Sequence, residues 1–109
     1  MITIYHNPHC SKSRAALEIT ENYAREYDLT LNVIEYLKTP LSAAELIALQ
    51  MQLGGQVGQM VRDHEDLTLA QQRQILLAQP ELLQRPIVSY LGNAVIGRPG
   101  DLIHALFTS

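Results

Sequence analysis

The sequence predicts an α/β fold: one mixed four-stranded sheet flanked by helices, with a helical insertion in the middle of the chain. Three observations carry that expectation. Two β-branched and aromatic runs near the N-terminus are separated by an amphipathic segment, the pattern of a β-α-β unit. Two apolar runs near the C-terminus lie either side of a Gly-Asn dipeptide, the pattern of a hairpin. Between these halves, apolar residues recur at helical spacing.

The first strand is Ile2-Thr-Ile-Tyr5, stopped by His6-Asn7-Pro8, where proline removes a donor and holds Asn7 extended. From Ser11 onward Ala16, Ile19, Thr20, Tyr23 and Tyr27 recur at three- and four-residue steps, which predicts a helix. Leu31 to Leu37 alternates well enough for a second strand, ended by Thr39-Pro40. Ser42 with Glu45 three residues later is a capping-box pattern, opening a helix with Leu46, Leu49 and Leu53 on one face and Gly54-Gly55 as its stop. After a short segment through Met60, Val61 and Arg62, a glutamine-rich helical stretch runs around Ile75 to Ala78 and is interrupted by Pro80. Pro86 to Leu91, a Gly92-Asn93 turn and Ala94 to Ile96 predict the hairpin. Gly97-Arg-Pro-Gly100 then leads into a last helix with Leu102, Ile103, Leu106 and Phe107 on its apolar side. A β-α-β unit joined to a hairpin, with helices on both faces, is the thioredoxin-like arrangement.

The 109 residues suit one domain, residues 1–109, large enough to bury a core. Apolar residues make up 47% and charged residues 17%, a globular composition. With a net charge of -3 the chain has no global positive field to attract nucleic acid or an anionic membrane surface. Apolar runs are too short to span a bilayer and the N-terminus lacks the basic flank of a secretory signal, so a cytoplasmic location is expected.

One cysteine excludes an internal disulfide and a multi-cysteine zinc site. In a reducing compartment a lone thiol is either a buried hydrophobe or a reactive group. Cys10 falls where a strand hands over to a helix, and there the first amide N–H groups lack internal partners and the helix dipole favours a thiolate. Lys12 and Arg14 nearby favour the anion further, and His6 is placed to tune it. Ser13 stands where a dithiol oxidoreductase carries its second cysteine, so the site is a one-thiol version whose adduct needs an outside thiol for resolution. Reading His6, His9 and Cys10 as metal ligands is crowded and leaves the fourth ligand missing, so no metal site is expected. A cysteine-phosphatase loop fails because Ala16 stands where that family carries its arginine. A Walker loop fails because Gly54, Gly55 and Gly58 follow a helix and no Lys-Ser/Thr follows them.

Three arginines have unusual settings: Arg62 closes Gln-Met-Val-Arg, Arg85 precedes Pro86 and Arg98 precedes Pro99. Each alone is the kind of cation found solvated on a surface. Converging on Cys10, their planar forks would make an oxyanion pocket in an acidic protein.

Tyr5-His-Asn-Pro-His-Cys-Ser-Lys-Ser-Arg14, Tyr36-Leu-Lys-Thr-Pro40, Gln84-Arg-Pro-Ile-Val88 and Ile96-Gly-Arg-Pro99 closely resemble successive motifs of the glutaredoxin-dependent arsenate reductases, in their short, ArsC-like branch. The resemblance implies that Cys10 forms a thiol–arsenate adduct, that Arg62, Arg85 and Arg98 bind the oxyanion, and that His6 assists thiolate formation. Ser13, Arg14 and Pro86 would support the site, with the Arg85–Pro86 bond cis. No cofactor would be bound: glutathione and glutaredoxin would act as external reductants on a monomer. The stretch between Arg62 and Arg85 is shorter than in that family, and the C-terminal extension of some members is missing. Two rival readings share the fold. One is a regulator resembling those that bind RNA polymerase, which usually carry a cysteine pair where this chain has Ser13. The other is a thiol oxidoreductase with a different substrate.

Overall fold

The structure is a computed structural model that describes residues 1–108. Strand β1 (Ile2–His6) is followed by helix α1 (Ser11–Glu26) and strand β2 (Leu31–Glu35), which pairs parallel to β1. Helix α2 (Ala43–Leu53), a 3₁₀ segment over Gly54–Gln59 and helix α3 (Leu69–Ala78) form the middle of the chain. A short 3₁₀ turn over Pro80–Leu82 leads to β3 (Ile87–Tyr90) and β4 (Asn93–Ile96), and a third 3₁₀ segment, Gly100–Leu106, follows β4. The strand order is β2-β1-β3-β4, with β3 antiparallel to both β1 and β4. This is the mixed four-stranded sheet flanked by helices that the sequence predicts.

Side-chain alternation along the strands divides the core into two layers. Ile2 and Ile4 of β1 and Val88 of β3 point to one face, where Ala16 of α1 and Ile103 cover them. Ile87 of β3 and Ala94 and Ile96 of β4 point to the other, under Leu46, Leu49 and Leu53 of α2, Leu76 of α3, and Met60, Val61 and Leu83.

The middle of the chain is held by more than apolar packing. Gln50 and Gln72 are both buried, and the Gln50 amide donates to Gln72 Oε1 at 2.9 Å and to the Leu69 carbonyl at 3.0 Å. Gln72 donates to the Val57 carbonyl at 2.7 Å, and Arg73 donates to Gln50 Oε1 at 3.0 Å. These amides therefore tie α3 to α2 and to the 3₁₀ segment with their hydrogen bonds satisfied, which is the condition for burying them without loss. Both helices start on reciprocal capping boxes, Ser42 with Glu45 as the sequence predicts and Thr68 with Gln71 in addition.

The local departures have local causes. β2 ends at Glu35, two residues before the expected Leu37, because the Glu35 carbonyl accepts from both the Lys38 and Thr39 amides and turns the chain; Tyr36 is thereby sent into the core. The hairpin turn is Leu91-Gly92, one residue earlier than the Gly92-Asn93 expected: Tyr90 pairs with Asn93, and φ is positive at both turn residues, 50° at Leu91 and 80° at Gly92, the backbone of a two-residue I′ turn. The last segment is 3₁₀ rather than α-helical, and it buries Ile103 while leaving Leu102 38% exposed, so Leu102 leaves the apolar face assigned to it. Tyr27, at the end of α1, is also exposed.

Candidate active site

The parallel strands β1 and β2 end together, His6 pairing with Glu35, and the chain beyond β1 makes a tight loop into α1. Cys10 is the N-cap of α1 with extended backbone (φ -98°, ψ 122°), and its side chain closes no capping hydrogen bond. The first-turn N–H groups are thus left facing the sulfur rather than spent. Cys10 is half-buried, and burial raises its pKa, but the Ser13 amide, the Arg85 guanidinium and the Lys12 amide outweigh burial and hold the thiol below its ordinary range. The expected helix-terminus effect is present, and it is the Lys12 backbone, not its side-chain charge, that contributes.

Ser13 is the knot of the loop. Its Oγ is hydrogen-bonded to His6 Nδ1 at 2.7 Å and accepts from the Asn7 amide at 3.0 Å, and the side chain is fully buried. Asn7 accepts from the His9 amide through Oδ1 and from the Cys10 amide through its carbonyl, both at 3.0 Å. Arg14 spends its Nη1 on the Pro8 carbonyl at 2.9 Å, so it fastens the loop instead of adding charge beside the thiol. His6 is buried at the end of β1, and burial lowers its pKa, partly countered by Glu35. The ring is therefore neutral at pH 7, and its hydrogen bond goes to Ser13 and not to the sulfur. Ser13→Ala removes the one hydroxyl that serves both β1 and the loop; the expected cost is about 1–3 kcal/mol in urea unfolding.

Arg85 is the arginine that reaches the thiol. It leads into the cis bond to Pro86; the Arg98–Pro99 bond is also cis. Arg98 is exposed and donates through Nη1 to the Arg85 carbonyl at 3.3 Å, which places it on the rim next to Arg85. Arg62 is half-buried and held by a short antiparallel contact: Val61 bridges Leu83, the Arg62 amide donates to the Leu82 carbonyl and the Gln84 amide to the Met60 carbonyl, both at 2.8 Å. Its charge acts on Tyr36. The fold therefore gathers Arg85, Arg98 and Arg62 at one end of the sheet, and of these three Arg85 is the one whose charge acts on the Cys10 thiol.

Tyr36 is the site residue that the sequence reading missed. It is 1% exposed, and besides burial its hydroxyl feels Arg85, the Asn7 side chain, Cys10 and Arg62. Among the described residues, three buried side-chain polar atoms have no hydrogen-bond partner: Tyr36 Oη, Arg85 Nε and Arg85 Nη1. All three surround the Cys10 end of the sheet. The available signal was the aromatic residue directly after the second strand, within Tyr36-Leu-Lys-Thr-Pro40.

Behind Pro86, Gly97 leaves no room for a side chain. An added Cβ would sit 3.0 Å from Ile103 Cδ1 and Cγ1 and 3.3 Å from Pro86 Cγ, while the Gly97 amide donates to the Pro86 carbonyl at 2.9 Å. Gly97→Ala is expected to cost about 1–3 kcal/mol by denaturant titration, since Ile103 or Pro86 must yield.

The model of the ArsC family matches residues 5–106. An Escherichia coli K12 protein of uncharacterized function, YfgD, is 37% identical over an alignment covering 94% of this chain and 92% of its own length. An arsenate reductase of Neisseria meningitidis is 36% identical, with 96% of this chain and 97% of that protein covered. Among solved structures, an arsenate reductase from Vibrio cholerae superposes with a TM-score of 0.82 at 35% identity, covering 96% of each chain. The alignments to the first two run over 114 and 117 positions, more than the 109 residues of this chain, so those relatives carry residues inside the aligned region that it lacks.

Proposed function

The chain belongs to the ArsC family, and from that premise we propose that it reduces arsenate to arsenite through an adduct on Cys10, with glutathione and glutaredoxin as the external reductants. The observation that carries this reading is the pairing of a thiol held below its ordinary pKa with a guanidinium whose Nε and Nη1 are buried and unpartnered. Buried donors of that kind are costly unless an acceptor meets them, and a tetrahedral oxyanion offers several acceptor oxygens at once.

In this mechanism the Cys10 thiolate attacks arsenic, and one arsenate oxygen leaves as water after protonation. The amides of Lys12 and Ser13 and the Arg85 guanidinium offset charge on the remaining oxygens, with Arg98 and Arg62 further out. Reduction from As(V) to As(III) takes two electrons, and this chain has one thiol. Two external thiols supply them and end as a mixed disulfide, glutathione attacking the adduct and glutaredoxin taking the glutathione sulfur; water then cleaves the Cys10–As(III) bond, releasing arsenite and the Cys10 thiol. Ser13, which replaces an internal resolving cysteine, holds the loop instead. His6 acts at one remove through the same hydrogen bond.

The test is a coupled assay of glutathione oxidation with glutaredoxin present. Arsenate-dependent turnover that needs this protein is the expected result. Turnover no greater than with glutaredoxin alone, under conditions where Cys10 alkylates rapidly at neutral pH, would overturn arsenate as the substrate and leave a reactive thiol with a different one.

A further inference from the structure

We propose that the Tyr36 hydroxyl is a hydrogen-bond donor to the oxyanion bound at Cys10, acting with Arg85 from the other side of β1. The assignment rests on the oxyanion reading of the site and adds a group to it.

Topology brings the residue there. His6 and Glu35 are paired at the ends of the parallel strands β1 and β2, so the residues that follow, Asn7 and Tyr36, leave the sheet side by side. The carboxyl ends of parallel strands are where open α/β sheets collect ligands. The ring of Tyr36 is buried with Leu41, Leu46 and Leu83, while its hydroxyl is within the influence of Arg85, Cys10 and Arg62.

The hydroxyl has been taken out of water and closes no hydrogen bond of good geometry, although the Asn7 side chain beside it is close enough to act on it. An unpaired buried hydroxyl is unfavourable, and phenylalanine would fill the same space without that penalty. Retaining the oxygen makes physical sense if it bonds to something that arrives. The same holds for Arg85 Nε and Nη1, and the coincidence of three such atoms at one thiol identifies the visitor: every one of them is a donor at neutral pH, so it must be an acceptor. Burial raises the Tyr36 pKa, which keeps the phenolic proton in place against the pull of Arg85.

Tyr36→Phe separates this role from a structural one. Protection of Cys10 from iodoacetamide by inorganic phosphate and by arsenate, at fixed pH, measures oxyanion binding without requiring turnover. The expected result is about tenfold weaker protection in Tyr36→Phe, as befits loss of one hydrogen bond to a charged acceptor, with a melting temperature equal to or above the wild-type value. Wild-type protection in the variant would overturn the assignment while leaving the oxyanion site intact. A fall in protection that tracks a lower melting temperature would also overturn it, as a packing effect. A rise in the pH midpoint of alkylation that accounts for the whole change would do the same, because the hydroxyl would then serve the thiolate. Absence of protection in the wild-type protein at millimolar oxyanion would overturn the underlying site as well, an outcome distinct from the other three.

Discussion

Cys10→Ser is expected to abolish arsenate reduction, with turnover falling by about 10⁴-fold or more, as when a nucleophile is removed from a working site. The argument is one of protonation. The features that favour the Cys10 anion, the first-turn amides of α1 and the Arg85 guanidinium, shift a thiol below its ordinary range. They cannot bring a serine hydroxyl anywhere near neutral pH. Those same donors are untouched by the substitution, so the serine variant should still bind phosphate or arsenate, as measured by calorimetry or by the protection it confers against thermal unfolding. Lost turnover with retained binding separates the chemistry from the pocket. Turnover close to wild type in the serine variant would show that the reaction does not pass through this sulfur.

Arg85→Met is the second large effect. It removes the guanidinium that lowers the thiol pKa, together with two of the three unpartnered buried donors among the described residues. Loss of such a donor set is expected to lower kcat by about 10²–10³-fold. The companion effect is on Cys10 itself. The guanidinium lowers the thiol pKa, so without it the midpoint of alkylation rate against pH must move upward, and alkylation at pH 7 must slow. Stability follows the same sign. A folded-state pKa below the unfolded value adds stability above the unfolded pKa that is lost as pH falls through the folded one, and the variant surrenders part of that contribution. Arg98 keeps its contact, because it bonds the Arg85 carbonyl and not the side chain. Unchanged kcat and an unchanged alkylation profile would remove Arg85 from the mechanism.

The fold was legible where periodicity is strong. The β-α-β order, the α2 capping box and the hairpin all follow from residue patterns that a tertiary context has no reason to override. The ends of elements were less legible, and for identifiable reasons: the Glu35 carbonyl closes a turn before Tyr36, and Leu91 accepts a positive φ that a sequence reader assigns to glycine or asparagine first. Cys10 could be read as a candidate nucleophile because a helix N-terminus is a local feature. The gathering of Arg62, Arg85 and Arg98 is not legible in sequence because the contacts that produce it, the Val61–Leu83 bridge and the Arg98–Arg85 bond, join distant stretches of chain. Tyr36 was hidden for a further reason. An aromatic residue at the end of a strand has the signature of core packing, and most of its ring is core; only the geometry of one oxygen separates it from that default.

The interlocked amides of Gln50 and Gln72 have a consequence for the chain beside them. They pin the start of α3 from one side, while the Val61–Leu83 bridge pins Arg62 from the other. Residues 63–66 between these two anchors are exposed. Length can therefore be gained or lost in that span without pulling on either anchor. The span is an exposed turn bracketed by two clasps, with Asp63 and Asp66 at positive φ and His64 bonded back to the Arg62 carbonyl, so a change of outline there would leave the basic side chain beside the site in register.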